Sequence, residues 1–351
     1  MSAISLSLPT RLSRLRGANN EGVLALVLLA LIVGMSIANP VFFTLPTAFS
    51  ILRSSIVPLI FALGVLMVII SGGIDVSFAA IAVFAAYTTV QMHQNGAPDL
   101  GLVAAFLLAL LIGASLGAIN GFLIARFRLS TLIVTLGTQG IFKGALLTYV
   151  GSRYVADLPD SMAAVSTTNL FAVDTASGGA YLHILVVPAV LMAVGLAWVL
   201  RYTMFGRSIY AIGGDVEAAR RAGIRVVRTQ MVVYVIAGTM AAVGGMIYVI
   251  MERSASPQIL VGSELDIIAA VVLGGASIFG GRGSVLGTTL GVLLVQVIFN
   301  SLILAGVPSA WQRTAVGLLL ILGVGIQAIT SRKSSRAKVM DETIQKQEVP
   351  A

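Results

Sequence analysis

Long apolar runs follow one another along most of this chain, separated by short polar segments. Runs of about 17–25 residues can cross the hydrocarbon core of a bilayer as helices, and a helix satisfies its backbone hydrogen bonds internally. Only 10% of the residues are charged, against about 25% in soluble domains. The sequence therefore predicts an all-α, polytopic membrane protein with about ten transmembrane helices. They are drawn at residues 22–39, 51–70, 74–92, 100–125, 131–150, 181–200, 230–251, 264–281, 284–305 and 311–330.

The basic residues predict how these helices are oriented. With the N-terminus in the cytoplasm and the spans alternating in direction, most Lys and Arg residues fall on the cytoplasmic side, as the positive-inside rule requires. Both termini are therefore expected in the cytoplasm. The cations on that side are Arg11, Arg14, Arg16, Arg126, Arg128, those of the loop 201–229, Arg282 and those of the tail after residue 331.

The first apolar run allows two interpretations. It follows a basic start, and Ser36 and Ala38 could form a cleavage site, which is typical of a signal peptide. However, the basic residues lie far from Met1 and further apolar runs follow. This favours an uncleaved first span.

The polar parts of the chain suggest its boundaries. We expect a cytoplasmic N-terminal segment (1–21), a transmembrane domain (22–330) and a cytoplasmic tail (331–351). The tail is polar, mixed in charge and without a periodic apolar face, so it is predicted to be disordered. The outer segments 92–100 and 151–180 carry aspartates and few cations. The second of them is either a docking surface or a plain connector.

The longest polar interval between two apolar runs is Arg201 to Gln230, and it is rich in arginine. Its charges would each cost roughly 2.5–3.5 kcal/mol in the middle of a membrane, so it is expected to be a solvent-side loop. Asp215 can cap a short helix from Val216 to Ala222, and Gly223 can end it in the left-handed conformation. The sequence therefore predicts a small helix outside the membrane.

Two apolar segments are interrupted by pairs of glycines. They are GVLMVIISGGIDVSFAAIAVF, Gly64 to Phe84, and AAVVLGGASIFGGRGSVLGTTLGV, Ala269 to Val292. Paired interruptions of this kind can mark an internal repeat whose broken helices line a pathway. Glycine is also simply frequent in membrane helices, so the repeat remains a hypothesis.

Asp75 and Ser77 follow the first glycine pair, where the spans are most apolar. A carboxylate at membrane depth is expensive unless it is hydrogen-bonded or faces water, so Asp75 is a functional candidate. Asp75 and Ser77 could instead cap the next span by accepting from its free backbone N–H groups. The two roles are compatible.

Further polar residues lie inside the spans. Lys143 either lines a polar conduit with Asn120 and Gln139, or extends along its helix toward the membrane surface. Asn300 shares a helix face with Gln296, four residues earlier, and either bonds across helices or touches solute.

Several kinds of chemistry are disfavoured. The chain has no cysteine and two widely separated histidines, His93 and His183, so no metal site or cysteine nucleophile is predicted. The glycines from Gly275 to Gly283 do not form a phosphate-binding loop, because Gly281 stands where lysine is required and no strand is predicted before them.

The net charge of +8 comes from short basic tracts between the spans. Such tracts set the orientation of a protein in a lipid membrane, and this interpretation is favoured over nucleic-acid binding. The spans also hold few groups that could carry protons, so the energy for any transport is expected to come from elsewhere.

Three stretches together resemble the permease subunits of bacterial ATP-binding-cassette importers of the ribose, xylose and autoinducer-2 group. They are SGGIDVS (Ser71 to Ser77), GRSIYAIGGDVEAARRAGI (Gly206 to Ile224) and LGGASIFGGRGSVLGTTLGV (Leu273 to Val292). The similarity covers most of residues 20–330. One departure is Phe78-Ala79 after SGGIDVS, where many relatives carry Val-Gly. The methyl group of Ala79 could narrow the space that this signature lines.

The resemblance implies an inner-membrane permease without an ATPase site of its own. It needs no cofactor, since ATP is used by a partner subunit. The implied partners are two ATPase subunits, a periplasmic sugar-binding protein and a second permease chain, identical or different. The loop helix would be the coupling helix that fits the ATPase, with Asp215, Glu217, Ala218, Ala219, Gly223 and Ile224. The candidate pathway residues are Ser71, Gly72, Gly73, Asp75, Ser77, Asn120, Gln139, Lys143 and Asn300.

Two alternatives remain. The chain could be a secondary carrier or facilitator that works alone, or a permease of the related branched-chain amino-acid group.

Overall fold

A computed structural model describes residues 21–99, 101–175, 178–258, 260, 262–308 and 310–321 except 313, 316, 319 and 320. Its described part is mainly helical. The α-helices are α1 (Glu21–Ala38), α2 (Leu45–Ile70), α3 (Phe78–Gln94), α4 (Leu102–Phe127), α5 (Thr131–Ala145), α6 (Asp160–Ser166), α7 (Val186–Tyr202), α8 (Met204–Gly214), α9 (Val216–Arg221), α10 (Val226–Glu252), α11 (Glu264–Leu273) and α12 (Val285–Leu304). A 3-10 turn (Pro40–Phe43) precedes α2, and a π-helical turn (Leu146–Val150) extends α5.

The core is built around α2 and α10. Almost every side chain from Ile60 to Ile70 of α2 is buried, because this helix is apolar on all its faces and is surrounded by other elements. It contacts α7, α10, α11, α12 and the hairpin described below.

Helices α4 and α10 pack closely through small residues. An added methyl group on Gly113 or Gly117 would overlap the backbone of α10 at Gly238 or Tyr234, respectively. Small residues spaced four apart let two backbones approach at membrane depth, where packing rather than the hydrophobic effect holds helices together. The α4–α10 pair therefore forms a rigid unit beside α2 and α3.

The helical, multi-pass architecture predicted from the sequence is confirmed, but the count of ten spans is not. Among the described residues, six helices are long and apolar enough to cross a membrane, or seven if α7 and α8, bent by 74°, form one span. The predicted run 264–281 was wrong as a single helix, because α11 ends at Leu273 and a glycine-rich loop follows. The run predicted from residue 181 starts instead at Val186.

The structure also contains strands, which the all-α prediction did not include. The strands β1 (Asn169–Thr175) and β2 (Gly178–His183) pair antiparallel as a hairpin between α6 and α7. Residues 170 to 174 of β1 are exposed to solvent, whereas β2 packs against α2.

Some predictions lie outside the described residues. These are the structure of residues 1–20, the tail 331–351 and most of the run 311–330. The boundaries drawn at residues 21 and 330 stay predictions.

The two ends of the bundle differ. We call the end that carries residues 201–229 the arginine end. At the opposite end the two predicted outer segments contact each other: Asp99 accepts hydrogen bonds from the backbone and the hydroxyl of Ser161 at 2.9 and 2.8 Å, and Gln94 donates to the Asp157 carbonyl. These contacts join the start of α6 to the connection between α3 and α4.

Candidate solute pathway and coupling loop

The short helix α9 forms as its sequence predicts. The Asp215 carboxylate accepts hydrogen bonds from the backbone N–H groups of Glu217 and Ala218 at 2.8 and 3.0 Å, which satisfies the free donors of the first turn. After the last turn Gly223 has φ +83°, a conformation that glycine adopts without strain. Both ends of α9 are therefore fixed by local chemistry.

One face of α9 is attached to the protein and the other is free. Ala219 is buried in a small apolar cluster with Ile212 and Val226, and partly buried Ile224 packs against it. Glu217 and Ala218 are exposed. One face of α9 is thus packed against the protein, and the opposite face can contact another molecule.

The end of α8 joins α9 to both glycine interruptions of the spans. The N–H of Gly281 donates to the carbonyl of Ile70 at 2.9 Å. Gly213 lies directly against both residues, so that an added methyl group on it would overlap the Ile70 carbonyl. The backbones of Gly72 and Gly280 complete the contact. We call these five residues the glycine junction.

A second bond strengthens this connection. The Tyr210 hydroxyl of α8 donates to the Gly283 carbonyl at 2.8 Å. The three sequence stretches SGGIDVS, GRSIYAIGG and GGASIFGGRG therefore meet at one place, at the arginine end of the bundle.

The loop from Ser71 to Ser77 is held by side-chain hydrogen bonds. The Asp75 carboxylate is buried and accepts from the Ser77 N–H and hydroxyl at 2.7 and 2.6 Å, at the start of α3. Asn120 of α4 donates to the Ser77 hydroxyl at 2.7 Å. Asp75 thus accepts from a backbone N–H at the start of α3, whereas the Ser77 side chain makes no capping bond to the backbone. The contacts bring Asp75, Ser77 and Asn120 together.

Other contacts of this loop were not predicted. Thr131 of α5 accepts from the Ile74 N–H at 3.0 Å, and the Tyr234 hydroxyl lies close to Gly73, where an added methyl group would be 2.7 Å from it. The sequence carried no signal for either, because both contacts join segments far apart in the chain. Ser71 bonds to the Val68 carbonyl of its own helix.

Gln139 and Lys143 lie away from Asn120, in a separate polar site. They line a cavity of about 30 Å³ together with Glu264, at the start of α11. The Gln139 amide donates to a Glu264 carboxyl oxygen at 2.8 Å, and the other oxygen accepts from the Gly262 N–H at 2.8 Å. The sequence-based set missed Glu264, although an acidic residue at the edge of an apolar run was a usable signal.

Asn300 belongs neither to the group around Asp75 nor to the group around Glu264. Its amide donates to the Gln296 carbonyl of its own helix at 2.9 Å. No hydrogen bond in the described part of the chain joins it to the other candidates.

The chain is similar in sequence to known permeases. A family model described as the permease component of a branched-chain amino acid transport system matches residues 47–324. The autoinducer 2 import system permease protein LsrC of Yersinia pseudotuberculosis serotype O:1b (strain IP 31758) is 34% identical over 303 residues, 86% of this chain and 83% of that protein. The protein of the same name from Yersinia pestis (strain Pestoides F) is 33% identical over the same length, with the same coverage. No solved structure matches the chain.

Proposed function

The chain belongs to this family of importer permeases, and on that premise we propose that it forms part of the translocation pathway of an ATP-driven importer for a sugar or sugar-like solute. It is a multi-pass protein of the inner membrane. The glycine junction is the observation that carries the proposed mechanism, because it connects a solvent-side helix to two interrupted spans.

The proposed coupling runs through α9. A partner ATPase binds its exposed face, including Glu217 and Ala218, and closes when it binds ATP. Because α9 is capped by Asp215 and backed by buried Ala219, it moves as a rigid body. The movement passes through α8 to the glycine junction and there reaches both interrupted spans. The pathway then changes the side to which it opens.

The proposed assembly contains several chains. This permease pairs with a second permease, and each binds an ATPase subunit at the arginine end. A periplasmic binding protein delivers solute at the opposite end, where α6 and the hairpin lie. Both termini and α9 are cytoplasmic in this arrangement, and the chain crosses the membrane about ten times when the interrupted and undescribed segments are counted. It carries no cofactor; ATP is hydrolysed by the partner.

The solute class rests on the relatives and on the loop sequence. The relatives are named for import of autoinducer 2, and SGGIDVS and GRSIYAIGG favour the sugar group. The description of the family model names branched-chain amino acids, so amino-acid import is the second candidate.

Reconstitution tests the proposal. The permease, placed in proteoliposomes with its ATPase and binding protein, should accumulate one of D-ribose, D-xylose or autoinducer 2 when ATP is supplied on the ATPase side, and none without the ATPase. Leucine and valine serve as the amino-acid comparison. Uptake by the permease alone would establish a stand-alone carrier and refute the proposal.

A further inference from the structure

We propose that Glu264, Gln139 and Lys143 form a solute-contact site of this chain that takes neutral, hydroxyl-rich molecules. This inference rests on the proposed import function and adds the site and the group that recognises the solute. Glu264 is its central residue.

Glu264 lies at membrane depth. It begins α11, which has ten residues and therefore measures about 15 Å, half of a hydrocarbon core of about 30 Å. Beyond its last residue, Leu273, the chain reaches the glycine junction at the arginine end. On its other side the chain continues to Ala255, which pairs with Val155 of the opposite end at 2.8 Å. The start of α11 thus lies between the two ends.

The described residues before α11, at 254–258, 260, 262 and 263, form irregular backbone. Leu260 and Gly262 have φ +67° and +87°, and Leu260 and Pro257 line the same cavity as Glu264. Irregular backbone is tolerated at membrane depth where it is buried in protein or lines a cavity. A half-length helix that starts beside such a segment is a recurring construction of transporter binding sites.

The polar groups are suited to a hydroxylated ligand. Glu264 supplies carboxyl acceptors, Gln139 supplies both a donor and an acceptor, and Lys143 supplies donors. No ion pair in the described part of the chain joins Lys143 to Glu264, so Lys143 does not neutralise Glu264 by direct contact. Two ionisable side chains that face one cavity within the spans are costly to keep for structure alone. Hydroxyl groups that both donate and accept would satisfy all three side chains.

The cavity is small in this conformation. Its volume of about 30 Å³ holds about one water molecule. Ala79 and Ala80, at the start of α3 directly after SGGIDVS, also line it. The bond between Gln139 and Glu264 joins α5 to the start of α11. A solute therefore enters when this bond opens.

Transport kinetics in the complete reconstituted importer test the site. With the sugar that the wild type takes up best, Glu264→Gln and Gln139→Leu should each raise the KM for uptake at least tenfold while ATP hydrolysis by the complex continues. Thr148→Val, an exposed position after α5, is the control and should keep the wild-type KM. An unchanged KM in both site variants overturns the inference while leaving the import function standing. Failure of the wild type to take up any sugar refutes the proposed function itself, and the site with it.

Thiol labelling tests the site independently of the two polar substitutions. The chain contains no cysteine, so Ala80→Cys places a single reactive thiol in the cavity wall. In the assembled importer under ATP turnover, saturating sugar should slow its reaction with a hydrophilic methanethiosulfonate reagent several-fold, and should leave Thr148→Cys unaffected. Equal protection at both positions, or at neither, contradicts the assignment.

Discussion

Gly213 holds the most constrained position in the proposed coupling route. Its Cα lies against the carbonyl of Ile70 and the N–H of Gly281, two groups that are hydrogen-bonded to each other. A side chain there would separate the two interrupted spans. Gly214, the next residue, has open space where its side chain would be. The two neighbours therefore form a matched pair for substitution.

Gly213→Ala should reduce ATP-driven uptake, and Gly214→Ala should not. Overpacking of this kind costs about 1–3 kcal/mol, and because about 1.4 kcal/mol is a factor of ten in rate, we expect uptake to fall roughly tenfold or more. ATPase activity should persist, since in the proposed assembly the ATPase binds α9 and not the junction. Proteoliposome uptake and ATP hydrolysis, measured on both variants at equal membrane levels, check this. Equal uptake by the two variants would remove Gly213 from the route.

Residues whose roles depend on near neighbours in the chain could be predicted from the sequence. Asp215 and Gly223 are examples, because a cap and a left-handed stop are decided within a few positions. The partners of Glu264 and Thr131 could not be predicted, because their contacts are made across more than 50 residues of chain. One of the two alternatives for Lys143 placed it with Asn120 and Gln139, but Asn120 bonds to Ser77, since hydropathy does not tell which face of a helix meets which neighbour.

At the scale of elements, the hairpin β1–β2 carries a buried histidine. The backbone N–H of Leu185 donates to Nδ1 of His183, so Nε2 carries the proton and donates to the Ser166 carbonyl at 3.1 Å. Burial lowers the pKa of His183 from its usual 6.5, and nearby Arg53 lowers it further. The neutral ring therefore ties the hairpin to α6 and to the start of α7.

Acid should loosen the hairpin. Because the pKa of His183 is lower in the folded state than in the unfolded state, its neutral ring stabilises the hairpin fully above about pH 6.5. This stabilisation is lost as the pH falls through the pKa of the folded state. Hydrogen exchange of residues 169–183, corrected for the intrinsic rate, should therefore lose protection between about pH 7.5 and about pH 5. His183→Gln should abolish this pH dependence, whereas His93→Gln, which changes the other histidine, should retain it. A wild type with constant protection over this range would contradict the assigned role.

The interrupted elements explain why fewer spanning helices are described than were drawn from the sequence. Hydropathy treats residues 264–281 as one apolar run, but Gly275, Gly280 and Gly281 have positive φ values, which end a helix. The glycine pairs were recognised in the sequence as breaks. The length that each helix loses at its break depends on packing against α8. No local sequence pattern encodes that packing.

For the whole molecule, the class of the protein could be predicted from the sequence, but the contacts between its parts could not. Apolar runs and basic loops predict a multi-pass membrane protein, and the three resembling stretches predict an importer permease. Both are confirmed by the helices and by the relatives. That the three stretches touch one another at the glycine junction follows only from the tertiary fold, since more than 40 residues separate each from the next.

Transmission of ATPase movement through the glycine junction can be measured directly in the assembled importer. The cysteine-free chain allows pairs of spin labels at exposed positions, one pair at Arg207 and Phe279 across the junction, and one at Arg207 and Ile133 of α5. Double electron–electron resonance distances are compared between the nucleotide-free complex and the complex trapped with an ATP analogue. If α8, α9 and the second glycine break move as one unit, the Arg207–Phe279 distance stays constant while the Arg207–Ile133 distance changes. A change across Arg207–Phe279 as large as that across Arg207–Ile133 would contradict coupling through this junction.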